Sequence, residues 1–351
     1  MSTSGATTLG SEAEQERVLT ALRRWGWNAT SFQVTKPGFR YFHAGASAGG
    51  GTVAYVDTGS AWVAAGAPIA PEGALGDVAQ AFIEAARARG ARASFFAVER
   101  RFLSAAPGFG ALAIGRQPVW DPRAWDETVG RSRNLRSQIR RPRAKGVRAR
   151  LVASSELAPG RPMQRAIEGL SASWLASRGM APMRFLVDIH VGGHEAERRY
   201  VVAEQGDRLV GACLVVPVYA RDGWFLENVL RAPGAPNGTS ELLVDTAMRA
   251  AAQGGSSYAT LGLAPLAGDV PPWLRLARAA GRFLYDFEGL ASFKAKLCPH
   301  RWDDVFVAHP RGTLSAVAIF DALTAFAGGS LVRFAAQSAR RLLVKPRALP
   351  R

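Results

Sequence analysis

Short apolar runs separated by turn residues divide the first third of the chain into strands and one helix. Strand patterns, each bounded by glycine, proline or polar residues, occur at Phe39–His43, Thr52–Asp57, Ala61–Ala67 and Ala93–Val98. Between the last two, a helical pattern begins near Ala74 and ends at Gly90. The order predicts three strands, a helix and a fourth strand.

The same order recurs in the second half of the chain. A strand pattern at Trp224–Leu230 is followed by a Pro/Gly turn, a helix beginning near Ser240, and a strand at Tyr258–Leu263. The turn sequences APIAPEG (67–73) and APGAPNG (232–238) align at an offset of 165, and Gly90 aligns with Gly255 at the same offset. Because the turn, the helix and the glycine that ends the helix share one offset, the sequence predicts a duplication.

These patterns predict a mixed α/β (α+β) fold built from two repeated halves. The expected division is an N-terminal helix and arm at residues 1–30, a first half at 31–155, a second half with the active site at 156–312, and a helical tail at 313–351. Ser11 and Glu14 form a capping box for the first helix, which is expected to run to about Trp25.

The tail combines apolar and basic positions at helical spacing. Leu331, Phe334 and Ala335 lie on one predicted helical face, and Arg333 and Arg340 on the other. Such a helix can lie in the headgroup region of an anionic membrane, or it can dock on its own protein; the pattern alone favours neither. The apolar run before it contains Asp321, which predicts surface binding rather than a membrane span.

The charge is strongly unbalanced. Lys and Arg number 44 against 28 Asp and Glu, which gives a net charge of +16. An anionic partner is expected: nucleic acid, an acidic membrane surface or a phosphorylated ligand.

The two cysteines form neither a disulfide framework nor a metal motif, and the first ten residues contain no secretory signal. A cytoplasmic protein is therefore expected.

Much of this charge lies in one segment, between Arg131 and Arg150. Nine of its twenty residues are basic and none is acidic. Leu135 and Ile139 form a narrow apolar stripe on a helix that is expected to end near Pro142. The remaining face is covered by guanidinium groups, which bind phosphates in a bidentate manner. Candidate phosphate-binding residues are Arg136, Arg140 and Arg141.

The histidines offer little for metal binding or acid–base chemistry. His190, His194 and Glu195 are close in sequence, but their order is not that of a known zinc motif and no third ligand is evident. A solvated hairpin turn is the preferred interpretation. No Ser/His/Asp set is evident in the sequence.

Each half has a strand, a turn and a helix N-terminus in sequence, an arrangement that offers backbone N–H groups to a carbonyl oxygen or phosphate. GNAT-like acyltransferase folds are built in this way. Their coenzyme A signature is only half met: Arg231 and Gly234 fit, but Pro236 has no N–H to donate. A coenzyme A-dependent acyltransferase therefore remains an alternative.

Four stretches are more specific in combination: NLRSQIRRPRAKG (134–146), LENVLRAPGAPNGTSELL (226–243), LGLAPLAG (261–268) and YDFEGLASFKAKLCPHRWDDVFVAHP (285–310). Together they resemble the cytosolic catalytic domain of bacterial aminoacyl-phosphatidylglycerol synthases, the phosphatidylglycerol lysyltransferase or multiple peptide resistance factor family. The resemblance covers about residues 39–310. It implies tandem GNAT-like folds that move an amino acid from aminoacyl-tRNA to a lipid hydroxyl such as that of phosphatidylglycerol, without a metal or other cofactor.

The resemblance implies roles for particular residues. Glu227 and Glu241 are candidates for holding the amino acid's ammonium group or assisting proton transfer. Candidate phosphate or oxyanion partners are Arg231, Lys294 and Lys296, although the two lysines fit ordinary surface positions of a strand or loop equally well. Asn237 and Gly238 open the helix whose N–H groups would face the cleft.

Three features depart from the family pattern. Asn228 stands where the family has an aspartate, with Glu227 one position further from Arg231, and the loop from Arg231 to Asn237 is one residue shorter. No multi-helix membrane region is present in the sequence, so a stand-alone form peripheral to the inner face of the plasma membrane is expected. A relative that binds nucleic acid or membrane without catalysis is the alternative outside the enzymes.

Overall fold

The computed structural model describes residues 12–177, 181–275 and 286–344. The helices are α1 Glu12–Trp25, α2 Leu75–Ala88, α3 Arg100–Ala105, α4 Trp125–Arg131, α5 Arg133–Ala144, α6 Pro162–Ser177, α7 Thr239–Gln253, α8 Phe287–Lys296, α9 Ser315–Phe326 and α10 Leu331–Val344. The strands are β1 Arg40–His43, β2 Thr52–Asp57, β3 Ala61–Ala65, β4 Arg92–Val98, β5 Phe109–Trp120, β6 Val147–Leu151, β7 Arg199–Gln205, β8 Arg208–Val218, β9 Gly223–Arg231, β10 Tyr258–Thr260, β11 Ala264–Pro265 and β12 Arg301–Pro310.

The chain forms two compact units. The first contains Met1–Ile114, Pro182–Asp188 and Asp304–Ala339, and the second contains the remainder. The first division follows Ile114, earlier than the expected boundary at residue 155, because the second part of β5 pairs with β10 and β11 of the second unit. The second division precedes Asp304, so much of the expected tail packs with the first unit.

The first unit contains the first repeat, which consists of β1–β4 with α2. Strands β1, β2 and β3 are successive antiparallel neighbours, whereas β3 and β4 are parallel because α2 connects them. On one side of the sheet, α2 buries Phe82 against Tyr55, Trp62 and Phe95. These aromatic rings form the centre of the first hydrophobic core.

The second unit contains the second repeat, which consists of β7–β10 with α7. Its strands repeat the pairing of the first: β7, β8 and β9 are antiparallel, and β9 and β10 are parallel. Helix α7 ends at Gln253, which aligns with the last residue of α2, Ala88, at the offset of 165. The predicted mixed α/β fold with two repeated halves is confirmed.

Apolar side chains cover both faces of the second repeat's sheet. On one face, α5 and α7 contribute Leu135, Ile139 and Leu243 to a core with strand residues of β7–β9. On the other face, α6 contributes Ile167 and Leu170. A sheet buried on both faces explains the continuous apolar run in β8, where only one of its eleven side chains is exposed.

Three predicted boundaries are wrong in detail. The third strand ends at Ala65 rather than Ala67, since Gly66 turns the chain at φ 82°. Strand β10 ends at Thr260 rather than Leu263, because the next residues leave the sheet. Helix α5 continues through Pro142 to Ala144.

The N-terminal helix is present as predicted, although Ser11 of its capping box lies outside the described residues. Near the other end, α9 and α10 form a bent pair. No single helix in the described ranges is long and apolar enough to cross a membrane; Ser315–Phe326 and Leu331–Arg341 meet the length and composition test only together, with a bend of 56°.

Candidate active site

Glu227 lies at an irregularity in the centre of the second repeat. Across the β8–β9 ladder, Leu214 pairs with Asn228 and Val215 pairs with Leu226, so Glu227 is an extra residue on β9. Such a β-bulge redirects one side chain and increases the local twist.

The Glu227 carboxylate is buried in an ion pair. Its Oε2 lies 3.7 Å from Nη1 of Arg198, and both side chains are only 2% exposed. Because the charges are removed from water, each depends on the other for compensation. Sequence reasoning missed Arg198; the signal was a pair of arginines, Arg198 and Arg199, before the apolar strand run that begins at Tyr200.

Strands β9 and β10 separate beside this bulge. Their parallel pairing ends at Phe225 and Thr260, whereas β9 continues along β8 to Arg231. The edge of β9 from Leu226 onward is therefore not paired with β10. In α/β proteins, the carboxyl ends of parallel strands that diverge are a common place for ligands.

Lys294 holds the chain that leaves β10. Its Nζ donates hydrogen bonds of 2.8 Å to each of the carbonyl oxygens of Leu261, Gly262 and Leu263. The Thr260 hydroxyl also accepts a hydrogen bond from the Gly262 N–H, at 3.0 Å. These bonds fix the three-residue loop between β10 and β11, next to the point where β9 and β10 separate.

The structure changes the interpretation of both lysines. Lys294 lies on α8 and is 4% exposed, so the surface-lysine interpretation is wrong. Burial lowers the pKa of Lys294 to about 7. An ammonium group that donates to three carbonyls has no N–H left for a phosphate or oxyanion, so in this state Lys294 is a positioning residue. Lys296 is exposed at the end of the same helix.

The turn between β9 and α7 contains three other candidates. Arg231 and Asn237 are both exposed, and an Arg231 guanidinium N–H donates to the Asn237 side-chain oxygen at 3.3 Å. Glu241 is partly exposed in the first turn of α7. The structure thus places Glu227 in β9 just after its pairing with β10 ends, and Lys294 of α8 against the loop that leaves β10. Arg231 ends β9, and Asn237 and Glu241 lie on the following turn and helix start.

Gly238 lies where this turn packs on α5. Its φ is 92°, and a β-carbon there would be 2.1 Å from the main-chain oxygen of Gln138. Pro142, four residues after Gln138, has no N–H to donate to that oxygen. Without this helical donor, the Gln138 carbonyl faces Gly238, where the absence of a side chain leaves room for it. Helix α5 can therefore continue through Pro142 beside this turn.

Asp245 joins α7 to α4 and α5. It is fully buried and accepts hydrogen bonds from Trp125 Nε1 at 3.0 Å, Arg143 at 2.9 Å and Arg249 at 2.9 Å. A buried carboxylate with three donors is fully compensated. Sequence reasoning missed this residue as well, although an aspartate among the apolar positions of α7 was a usable signal.

Four of the nine basic residues between Arg131 and Arg150 are engaged within the protein. Arg131, Arg143 and Arg150 form ion pairs with acidic residues from outside the segment. Arg136 is partly buried and donates to main-chain oxygens of Val129 and Gly130 at the end of α4. The other cations of the segment are exposed: Arg133, Arg140, Arg141, Lys145 and Arg148.

The segment containing His190 is a loop before β7, not a hairpin turn between strands. The Gly192 N–H donates to the Tyr200 hydroxyl at 3.0 Å, and the Gly193 N–H donates to Glu195 at 3.0 Å. Burial raises the pKa of Tyr200. Across the described ranges, no group of three or more His, Cys, Asp or Glu residues is placed to hold a metal ion.

A cleft of about 320 Å³ lies beside α8 in the second unit. Its walls include Arg116 of β5, Gly268, Ser292 and Trp302. Ala291, Ser292 and Ala295 line it from the helix that carries Lys294. The small side chains on this side of α8 leave the space open.

Comparisons with known proteins give the family of this chain and its structural relatives. Residues 19–309 match the family described as phosphatidylglycerol lysyltransferase, C-terminal. The structure is similar to the C-terminal domain of a putative lysylphosphatidylglycerol synthetase from Agrobacterium fabrum, with a TM-score of 0.76 and 24% identity over 92% of this chain and 99% of that chain. It is also similar to L-PGS from Bacillus licheniformis, with a TM-score of 0.74 and 19% identity over 94% of this chain and 99% of that chain.

A more distant structural similarity is to FemX, with a TM-score of 0.57 and 10% identity over 84% of this chain and 96% of that chain. No curated protein matches the sequence. The family match spans both repeats, including the bulge at Glu227 and the loop held by Lys294. The chain therefore belongs to the phosphatidylglycerol lysyltransferase C-terminal family, a family of transferase domains.

Proposed function

We propose that this protein transfers an aminoacyl group from aminoacyl-tRNA to the hydroxyl of an anionic lipid such as phosphatidylglycerol. The observation that carries the proposal is the family match across the opening between β9 and β10, where the β-bulge holds Glu227. The reaction takes place in the second repeat.

The proposed chemistry is an ester exchange. The oxygen of the lipid hydroxyl attacks the carbonyl carbon of the aminoacyl ester, and a tetrahedral intermediate forms. The bond from that carbon to the ribose oxygen then breaks, and the proton lost by the lipid hydroxyl is returned to the ribose. The protein has to align the two oxygens, guide the proton and stabilise the developing charge.

Glu227 is the carboxylate proposed to hold the amino acid's ammonium group or to assist the proton transfer. Its pairing with Arg198 fixes its direction within the strand, so that binding does not require it to be ordered first. Lys294 contributes indirectly, because it fixes the loop of residues 261–263 beside Glu227. Arg231 and Asn237 are proposed to contact the substrate at the surface end of β9.

The tRNA is proposed to bind along α5. Arg140 and Arg141 are exposed on this helix, and the β9–α7 turn packs against the helix through Gly238. Guanidinium groups there can contact backbone phosphates without reading the nucleotide sequence. The same contact disfavours the coenzyme A alternative, because the main chain of α5 lies against the turn and Pro236 donates no N–H.

The transfer assay tests the proposal directly. Purified protein is incubated with tRNA charged with a radiolabelled amino acid and with phosphatidylglycerol vesicles, and the lipid phase is extracted and counted. We expect labelled lipid with at least one of a panel of amino acids, and loss of label with Glu227→Gln. Failure with every amino acid contradicts the proposal. Thermal stabilisation by acyl-coenzyme A but not by charged tRNA would favour the rival enzyme.

A second measurement separates catalysis from binding alone. Glu227→Gln and Arg231→Gln are compared for transfer and for salt-sensitive tRNA binding. The proposal predicts lost transfer with tRNA binding nearly retained for Glu227→Gln, because this carboxylate does not lie on the α5 surface. If the wild-type protein binds tRNA and vesicles but transfers nothing, the non-catalytic alternative is favoured.

A further inference from the structure

Helix α9 has an inverted distribution of polar and apolar residues. The side that faces the first unit carries Ala318, Asp321 and Ala322, all buried. The outer side carries Phe320 and Leu323, which are 54% and 51% exposed. A helix on the surface of a globular protein normally buries its large apolar residues and exposes its carboxylates.

An ion pair fixes this orientation. Asp321 is 3% exposed and accepts hydrogen bonds from Arg92 Nε at 2.9 Å and from Arg92 Nη2 at 2.6 Å. At the end of the helix, the ring of Phe326 packs edge-on against Phe96 and Phe185. Rotating α9 to bury Phe320 and Leu323 would break both sets of contacts, so the outward apolar face belongs to the folded state.

The exposed apolar surface continues on both sides of α9. Leu314, directly before the helix, is 71% exposed, and Val332 at the start of α10 is 80% exposed. Seven large apolar side chains are strongly exposed in the described ranges, and four of them lie between residues 314 and 332. Such a concentration indicates an interaction surface rather than scattered surface residues.

The neighbouring charges select the type of partner. Arg333 and Arg340 are exposed on α10, and the sequence contains no acidic residue after Asp321. A second copy of a chain that carries a net charge of +16 would bring cations against cations. An anionic bilayer surface instead offers phosphates to the arginines and an apolar layer to the exposed side chains.

We propose that the outer face of α9 and the start of α10 dock this protein onto an anionic membrane surface. Phe320 and Leu323 enter the boundary between headgroups and acyl chains, and Arg333 contacts lipid phosphates. The twelve residues of α9 span about 18 Å, which is less than the hydrocarbon thickness, so the helix lies in the interface rather than across it. This docking does not depend on the proposed transfer reaction.

Vesicle flotation measures the docking without tRNA or turnover. Three proteins are compared on phosphatidylglycerol/phosphatidylcholine vesicles and on vesicles of phosphatidylcholine alone: wild type, Phe320→Ser with Leu323→Ser, and Arg333→Gln. We expect wild type to float with the anionic vesicles only. The apolar double variant should lose about tenfold or more in affinity, and the arginine variant should lose most of the preference for anionic lipid.

Leu151→Ser is the matched control, because Leu151 is also exposed and apolar, at 43%, but lies on β6 of the second unit. It should float like wild type, and all variants should keep the wild-type Tm. Flotation that the Phe320/Leu323 variant leaves unchanged overturns the proposal. A wild-type dimer in solution that this variant dissociates, without any change in flotation, assigns the surface to a second copy instead.

The docking and the proposed function fail in different ways. If docking is correct and the transfer reaction is not, wild type floats with anionic vesicles but labels no lipid. If the transfer reaction is correct and docking is not, the Phe320/Leu323 variant labels vesicle lipid as fast as wild type. If both hold, the variant labels vesicle lipid slowly but labels short-chain phosphatidylglycerol, dispersed without a bilayer, at the wild-type rate.

Discussion

The two repeats have the same strand order and the same helix, yet only the second opens at its centre. In the first repeat, β3 pairs with β4 along its whole length, from Ala61 to Ala65. In the second, β9 pairs with β10 over three residues and then separates. The two repeats thus share a scaffold, and the difference in strand pairing opens one of them at the place where we propose that the substrate binds.

The residues along the two strands differ as well. Although Glu227 is 165 positions after Trp62, the two are not equivalent in the fold, because Trp62 pairs with Ala93 whereas Gly223 pairs with the aligned residue Tyr258. Trp62 is buried and stacks on Tyr55 with ring centroids 4.5 Å apart, and its strand contains no bulge. An aromatic ring closes the first repeat with apolar packing, whereas a buried ion pair and a β-bulge distort the second. Catalytic proposals therefore belong to the second repeat.

The largest expected effect comes from replacing the charged residue Glu227 with a neutral one. Glu227→Gln keeps the side-chain shape but removes the charge, so the transfer rate should fall about 10²- to 10⁴-fold. Trp62→Phe, in strand β3 of the first repeat, should leave the rate per folded molecule unchanged. Initial rates of lipid labelling, normalised to the folded fraction, measure both. A loss of less than tenfold for Glu227→Gln would remove this residue from the chemistry.

The next effect concerns pH, because only the second repeat has a buried lysine at its loop. Burial lowers the pKa of Lys294 to about 7 in the folded protein, against an ordinary value of about 10.4 when unfolded. Between these values the unfolded state binds more protons, so the free energy of unfolding should rise with pH, by at most about 1.4 kcal/mol per pH unit. Below about pH 7, this contribution should no longer change.

Denaturant titrations from pH 6 to pH 10 test this dependence. Lys294→Met should lack the rise, while Lys296→Met, an exposed lysine on the same helix, should keep it. Because Lys294 is a positioning residue, Lys294→Met should also slow the transfer through a misplaced loop. Identical stability profiles for wild type and Lys294→Met would show that the lysine does not titrate in this range.

Sequence patterns predict those features of the two repeats that depend on a few consecutive residues. Helix α2 begins within one residue of the predicted start, and the turn glycines Gly90 and Gly255 both adopt a positive φ. Periodicity and turn chemistry act over a few residues, so helices, strands and turns can be predicted from one segment at a time. The duplication was visible for the same reason.

The features that distinguish the second repeat depend on contacts between distant segments. The bulge at Glu227 is defined by its register with β8, and its partner Arg198 precedes a different strand. Pro142 is expected to end a helix, but Gly238, far along the chain, packs where the proline leaves a carbonyl without its helical donor. Propensity and spacing contain no information about such partners, which explains the errors at Pro142 and Lys294.

Aligned glycines at the two helix starts provide a smaller contrast. Gly238→Ala places a β-carbon against the Gln138 oxygen at a positive φ, so it should lower the free energy of unfolding by about 2–4 kcal/mol. Its counterpart Gly73 has no heavy atom within 4 Å of the added carbon, and Gly73→Ala should cause no loss. Equal Tm values for the two variants would contradict the close packing of the turn on α5.

The smallest effect separates exposed arginines of the two units. Arg140→Gln with Arg141→Gln removes two proposed phosphate contacts from α5, so tRNA affinity should fall about tenfold. The slope of log affinity against log salt should fall in magnitude by about 1.5, since each lost contact no longer releases a counterion. Arg87→Gln with Arg89→Gln removes the same charge from exposed positions at the end of α2. If tRNA binds along α5, this control should keep the wild-type salt slope; an equal loss in both variants would mean that net charge alone attracts the tRNA.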